Sequence, residues 1–138
     1  MNEALLDDLL RRAAAHQRLA VERALADLAV TPTQHAVLKS IVETPGLSNA
    51  DIARLEQLTP QTTSLVIVNL ERKGAVTRRA HERHGRIRRA EATALGAALL
   101  ADCRDRLRGY LRRQRAALPA DGGGRIEAWL ARLAETRV

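Results

Sequence analysis

The sequence predicts a mainly α-helical protein with one small β-hairpin beside a pair of short helices. Three observations support this fold class. Apolar residues recur every three or four positions through most of the 138 residues, which is typical of amphipathic helices. Thr-Pro and Ser-x-x-Asp motifs mark helix starts. An arginine-rich stretch around one glycine interrupts the helical pattern, and the chain length suits a single domain, 1–138.

Long helices are predicted on both sides of the short pair. The first covers about 2–28, because leucine and alanine recur there with no glycine or proline between them. A Thr-Pro start then opens a second helix over 31–44. Two more helices follow the hairpin, over about 93–118 and 125–136, separated by three glycines. The apolar stripe of the first of these is predicted to contain Leu95, Leu99, Cys103, Leu107, either Tyr110 or Leu111, and Leu118.

The short helices are predicted over 49–56 and 60–73, joined by a tight turn. Ser48 and Asp51 fit a capping box at the start of the first, and Gly74 provides a left-handed stop for the second. The first helix should turn Ile52, Ala53 and Leu55 inward. The core face of the second should be Thr63, Val66, Ile67 and Leu70, which leaves an outward face of Gln61, Thr62, Ser64, Leu65, Val68 and Asn69.

Residues 75–79 and 87–92 can pair as two short strands around a tip near Gly85. The segment from Arg78 to Arg89 holds six arginines and one glutamate, so it carries five of the seven net positive charges. Such focused charge indicates a polyanionic partner. Two helices across a tight turn with a basic ribbon beside them suit double-stranded DNA. We therefore predict that residues 30–92 form a winged helix-turn-helix DNA-binding region.

Individual DNA contacts follow from this arrangement. Helix-end amides attract phosphates, and glutamine can read adenine. Arg86, at the tip, suits a minor groove, whereas Arg78, Arg79, Arg88 and Arg89 suit backbone phosphates. The predicted DNA-binding residues are Ser48, Thr59, Gln61, Thr62, Ser64, Leu65, Asn69, Arg78, Arg79, Arg86 and Arg88. The alternatives are a helical hairpin whose hydroxyls only cap helices, and a solvated run of surface charges.

Other function classes find little support. No nucleophile elbow, phosphate loop or paired-carboxylate pattern is present, so we predict no enzyme and no cofactor. His81 and His84 lack the further ligands of a metal site, so none is predicted. Cys103 is predicted to be a core residue rather than a redox sensor. No membrane span or signal peptide is recognisable, which favours the cytoplasm.

From about residue 28 to 100 the chain resembles the MarR family of bacterial transcription regulators. The resemblance rests on the segments 31–38 (TPTQHAVL), 46–53 (GLSNADIA), 59–62 (TPQT), 70–79 (LERKGAVTRR) and 93–96 (TALG). The wing departs from the family's usual Asp-x-Arg, because His84 stands at the position of the aspartate that would brace Arg86. Leu65 and Val68 occupy positions that are often charged in the family; Leu65 could contact thymine methyl groups.

The resemblance implies a homodimer held by helices within 1–29 and 93–138. Each subunit would place its fourth helix in a major groove and its wing in the adjacent minor groove of a pseudo-palindromic operator. Release of DNA would be controlled by a small ligand or an oxidant. Ligand pockets in the family lie between the dimer frame and the winged helix, so His35 and Leu38 are the candidate ligand-binding residues.

We therefore predict a dimeric, sequence-specific DNA-binding repressor. One alternative is a winged-helix module that has lost sequence-specific reading and binds a protein partner through Leu65 and Val68. Non-specific nucleoid binding and an enzyme are the others. Arginine side chains folded against the protein's own acidic residues would count against DNA binding.

Overall fold

A computed structural model describes residues 1–80 and 88–136. The described helices are α1 (Glu3–Ala24), α2 (Pro32–Glu43), α3 (Asn49–Glu56), α4 (Pro60–Arg72), α5 (Ala94–Ala116) and α6 (Gly123–Glu135). The strands are β1 (Leu47–Ser48), β2 (Val76–Ala80) and β3 (Arg88–Ala92), and a 3-10 turn lies at Ala26–Leu28. The predicted fold class, mainly helical with a small antiparallel wing sheet, is confirmed. None of these helices is long and apolar enough to cross a membrane.

The helix starts predicted from the sequence are confirmed by side-chain caps. Thr31, Ser48 and Thr59 each accept a hydrogen bond from the backbone N–H three residues later, at 3.1, 3.2 and 3.1 Å. The backbone N–H of Ser48 donates in return to Asp51 Oδ2 at 3.0 Å, and this bond lowers the pKa of the Asp51 carboxyl. Caps of this kind involve residues three apart in the chain, which is why the sequence predicts them well.

The ends of the long helices differ from the prediction. α1 ends at Ala24 rather than near residue 28, because the 3-10 turn follows it and Ala29 adopts a left-handed backbone with φ 53°. α5 ends at Ala116, two residues earlier than predicted. α6 begins at Gly123, so two glycines predicted to lie between helices are helical.

The sheet has the strand order β1-β3-β2 with antiparallel pairing. β2 and β3 form the predicted hairpin, with Val76 opposite Ala92 and Ala80 opposite Arg88. β1 was not predicted; it pairs Leu47 with Ala90 along the outer edge of β3. A two-residue strand is too short to show an alternating pattern, so only the folded chain identifies it.

An aliphatic core joins α2, α3, α4 and the sheet. Its largest fully buried members are Leu38, Ile41, Ile52, Ile67 and Leu70, and the predicted core face of α4 is confirmed. Three residues that were predicted to face inward are exposed: Leu55 by 59%, Leu95 by 67% and Leu118 by 44%. α3 turns only Ile52 and Ala53 fully inward. α5 buries Gly96 instead of Leu95, because this helix packs closely against the backbone at Ala75.

The chain divides into two compact units, Met1–Leu107 and a second unit that starts at Arg108 within α5. The first unit contains the core, the sheet and the predicted reading helix. The second contains α6, whose apolar side carries Trp129 and the exposed Leu130 and Leu133. That the whole chain acts as a single domain stays a prediction.

Candidate nucleic-acid interface

The outward side of α4 is the most clearly presented part of the candidate site. Gln61, Thr62 and Leu65 are exposed on it, while Val68 and Asn69 are half-buried at its far end. The opposite side of the helix is buried in the core, so these side chains are held in a fixed direction. α3 packs against α4, as expected for a helix that braces a reading helix.

Several predicted hydroxyl contacts already have partners within the protein. Thr59 accepts the backbone N–H of Thr62, and its hydroxyl donates to the hydroxyl of Thr62 at 2.9 Å. Ser64 accepts a weak bond from Asn49 Nδ2 at 3.4 Å, which joins α3 to α4. Ser48 is engaged in the cap of α3. These hydroxyls therefore help to shape the helix pair, and their DNA contacts stay predictions.

The arginines of the hairpin do not all project into solvent as expected. The Arg78 side chain is only 20% exposed, and its Nε lies 2.7 Å from Glu71 Oε1. This Nε has no hydrogen-bond partner, so the contact is an ion pair whose geometry is not that of a hydrogen bond. Arg78 consequently joins β2 to the end of α4. Its phosphate contact stays a prediction.

The remaining described arginines are more open. Arg79 Nε pairs with Glu91 Oε2 across the hairpin at 3.1 Å, with the Arg79 side chain 75% exposed. Arg89 donates to the carbonyl of Gly46 at 3.3 Å and so ties β3 to the loop before β1. Arg88 is exposed and has no acidic partner among the described residues. Of the hairpin arginines that the structure describes, Arg88 and Arg79 therefore have the charges most open to solvent.

The tip of the wing lies outside the described residues. Arg86, His81 and His84 all belong to the segment 81–87, so the minor-groove contact predicted for Arg86 stays a prediction. Among residues 1–80 and 88–136, no group of three or more His, Cys, Asp or Glu side chains could hold a metal ion.

A cleft of about 240 Å³ lies between α1, α2 and the end of α3. It contains His35, one of the two candidate ligand residues, whereas Leu38 is fully buried in the core and does not line it. The sequence offered no signal for the remaining lining, because three separate helices supply it. These residues are Gln17, Arg18, Val21, Pro32, Thr33, Ala36, Glu56 and Leu58.

Three ionisable side chains line the cleft: Arg18, His35 and Glu56. Arg18 donates to the Thr33 hydroxyl at 3.4 Å, and Glu56 accepts a 2.6 Å hydrogen bond from the hydroxyl of Ser40. Burial lowers the pKa of His35, and the nearby charge of Lys39 lowers it further. The imidazole is therefore neutral at pH 7 and offers one donor and one acceptor. The cleft therefore presents apolar side chains together with one cationic group, one anionic group and one imidazole.

Cys103 is fully buried in the apolar side of α5. Burial raises the pKa of its thiol, and the charge of Asp102 raises it further. Since the thiolate is the reactive form, this environment favours the predicted core role over a redox sensor.

Comparisons with known proteins agree with this geometry. Residues 30–87 match the model of the MarR family. The HTH-type transcriptional repressor Rv2887 of Mycobacterium tuberculosis is 40% identical over 98 residues, which are 71% of this chain and 70% of the repressor.

Two crystal structures resemble the whole chain. That of Rv2887 with p-aminosalicylic acid has a TM-score of 0.73 at 34% identity, covering 93% of this chain and 97% of that one. That of CouR from Rhodococcus jostii RHA1 bound to p-coumaroyl-CoA has a TM-score of 0.85 at 25% identity, covering 99% of both chains. A buried core supports the outward helix, α3 braces it and a basic hairpin follows it. With this geometry and these similarities, the chain belongs to the MarR family of winged helix-turn-helix transcription regulators, which are not enzymes.

Proposed function

We propose that the protein is a repressor that binds a pseudo-palindromic operator as a homodimer and reads it with the outward side of α4. The observation that carries this proposal is that exposed side of α4, held rigidly by the core behind it. Gln61, Thr62, Leu65 and Asn69 would read bases, whereas Arg79 and Arg88 would contact phosphates. The 40% identity to a transcriptional repressor supports the same function.

Dimerisation is supported by the apolar surface that the single chain leaves open. Large exposed hydrophobic side chains occur along α1, near the end of α5 and on α6. They include Leu5, Leu9, Leu19, Leu111, Leu118, Leu130 and Leu133. Exposed apolar side chains in such numbers mark protein interfaces. The segments 1–29 and 93–138 are therefore the proposed dimer frame.

Selection of bound sequences from random DNA, followed by titration at several salt concentrations, tests this function. The selected DNA should contain two inverted half-sites, and log K should fall by about 0.9 per phosphate neutralised as log salt rises. Arg88→Ala should weaken binding to all DNA sequences by the same factor and reduce the slope of log K against log salt by about one. Gln61→Ala should reduce the free energy of operator binding by about 1–3 kcal/mol and relax the sequence preference at one base position. A flat salt response, or selection without any consensus, would contradict the proposal.

We further propose that the cleft beside His35 binds a small aromatic acid that releases the operator. Arg18 would pair with the carboxylate, and neutral His35 would hydrogen-bond a ring substituent. The structure of Rv2887 with p-aminosalicylic acid supports this class of ligand. Because the cleft joins α1 to the end of α3, a ligand there contacts both the proposed dimer frame and the brace of the reading helix.

Salicylate titrations provide the test, with thermal stability and operator release as readouts. The wild type should be stabilised and should release the operator. Arg18→Gln should weaken salicylate binding about tenfold or more, since hydrogen bonds to charged groups contribute about 1.5–3 kcal/mol. Arg11→Gln removes the same charge from the same helix outside the cleft and should behave like the wild type. Equal effects of the two variants would show that the ligand binds elsewhere.

A further inference from the structure

The carboxyl end of α4 meets the corner between α1 and α2, which we define as residues 26–29. Lys73 is the C-cap residue of α4, and its ammonium group donates a hydrogen bond to the carbonyl oxygen of Ala29, 44 residues earlier in the chain. Ala29 follows the 3-10 turn and has a left-handed backbone. The reading helix is thereby attached to the end of the first long helix.

The same corner is also attached to α5. Arg106, on α5, donates through Nε to Asp27 Oδ2 at 2.8 Å. The corner therefore receives one bond from the reading helix and another from a helix that continues into the proposed dimer frame. These two bonds link elements that are far apart in the sequence.

The backbone of Lys73 is itself fixed to α4. Its N–H bonds to the carbonyl groups of Asn69 and Glu71. Glu71 also carries the ion pair to Arg78 that joins β2 to this end of the helix. The end of α4 that carries Lys73 is therefore also the end to which the base of the wing is joined.

The residue type fits this role. Of the 23 basic residues in the chain, only Lys39 and Lys73 are lysines. An ammonium group is a compact charge on a flexible stem and can donate to a single carbonyl, whereas the planar guanidinium group suits paired oxygens such as carboxylates and phosphates. The carbonyl of Ala29 is a single acceptor, so it suits the ammonium group of a lysine.

We propose that Lys73 is a positioning residue that sets the angle of α4 relative to α1 and α5, and thereby the half-site spacing that the dimer accepts. This proposal rests on the proposed function. The reading helices of such dimers enter half-sites about 34 Å apart, so their angle to the frame decides which spacings fit. Base preference within one half-site depends instead on the outward side of α4, where Gln61, Thr62 and Leu65 lie nearer the start of the helix than Lys73 does.

The test measures affinity for a series of operators that differ only in spacer length, and separately for operators with single base changes. Lys73→Met keeps the apolar stem and removes the donor. Lys39→Met removes the same charge from an exposed position on α2 and is the matched control. The wild type should prefer one spacer about tenfold over spacers that are one base pair longer or shorter.

Lys73→Met should reduce that preference to about threefold or less while the ranking of single base changes stays the same. Lys39→Met should lower affinity equally for every spacer. Lys73→Arg retains a donor, but its planar guanidinium group suits a single carbonyl less well, so it should restore the preference only in part. If Lys73→Met does not fold, Asp27→Asn weakens the other bond to the corner and should broaden the spacer preference in the same way.

A wild-type spacer preference in folded Lys73→Met, even with a lower melting temperature, would overturn the positioning role and leave the proposed function standing. The same holds for an unchanged preference in Asp27→Asn where that variant serves instead. Failure of the wild type to select any operator would overturn both, and that result is obtained before any variant is compared.

Discussion

Replacing Gly96 with alanine should destabilise the protein by about 3 kcal/mol or prevent folding, at the upper end of the usual cost of overpacking a core. A Cβ at this position would lie 2.0 Å from the carbonyl oxygen of Ala75 and 3.0 Å from its carbonyl carbon. Both are backbone atoms of a residue that is 1% exposed, so they cannot move aside as a flexible side chain could. The first turn of α5 would have to move away from the sheet.

Hydrogen bonds make this contact rigid. The backbone N–H of Thr93 donates to Ala75 O at 3.0 Å, and the Thr93 hydroxyl donates to Gly74 O at 2.5 Å. The N–H of Gly96 in turn donates to the Thr93 hydroxyl at 3.0 Å. Displacement of Gly96 would therefore break bonds that hold the start of α5 against the end of the reading helix.

Gly109→Ala is the matched control for this substitution. Gly109 lies inside the same helix, and an added Cβ would meet only the end of the Arg113 side chain, at 3.5 Å. Alanine should there stabilise the protein by about 0.4–1 kcal/mol, because glycine loses more backbone freedom on folding. Urea unfolding followed by helical circular dichroism measures both variants. Similar midpoints for Gly96→Ala and the wild type would show that α5 does not pack on Ala75 in this way.

Replacing Leu65 with glutamate should weaken operator binding by several kcal/mol, or more than about a hundredfold, while the protein stays folded. Leu65 is 61% exposed and lies midway along the outward side of α4. A carboxylate there would face phosphates and base edges without a partner. Leu65→Ala removes only apolar contact and should cost less, with the loss confined to operators that carry thymine at the facing position.

Leu55→Glu provides a control of the same size, charge and exposure. Leu55, on α3, is 59% exposed and lies off the reading helix. In the Leu55→Glu variant, the extra negative charge should weaken DNA binding only slightly, through long-range repulsion. Anisotropy titrations with the selected operator, in parallel with thermal unfolding, compare the two variants. Equal losses would count against reading by α4, and full DNA binding by Leu65→Glu would favour the alternative in which Leu65 and Val68 bind a protein partner.

The helix starts and the core face of α4 could be predicted because they depend on neighbouring residues. Thr31, Ser48 and Thr59 cap helices through bonds to residues three positions away, and apolar spacing alone identifies Thr63, Val66, Ile67 and Leu70. The family was also recognisable, since its motifs lie in continuous segments between residues 31 and 96.

The candidate site was predictable only in part. Spacing placed Gln61, Thr62 and Leu65 on the outward side of α4, where the structure has them. It could not show that Arg78 pairs with Glu71, because the two residues belong to different elements, a helix and a strand, with six residues between them. Nor could it show that β1 pairs with β3, or that Arg18, His35 and Glu56 line one cleft.

By itself, the sequence determined where the helices start, which side of the reading helix is buried and where the positive charge is concentrated. These properties arise from residues within one or two helical turns of each other. Only the tertiary structure decided that Gly96 rather than Leu95 faces the core, that Lys73 reaches Ala29 and that Arg78 turns back to Glu71. Each of these is a contact between separate elements, and its geometry exists only after packing brings those elements together.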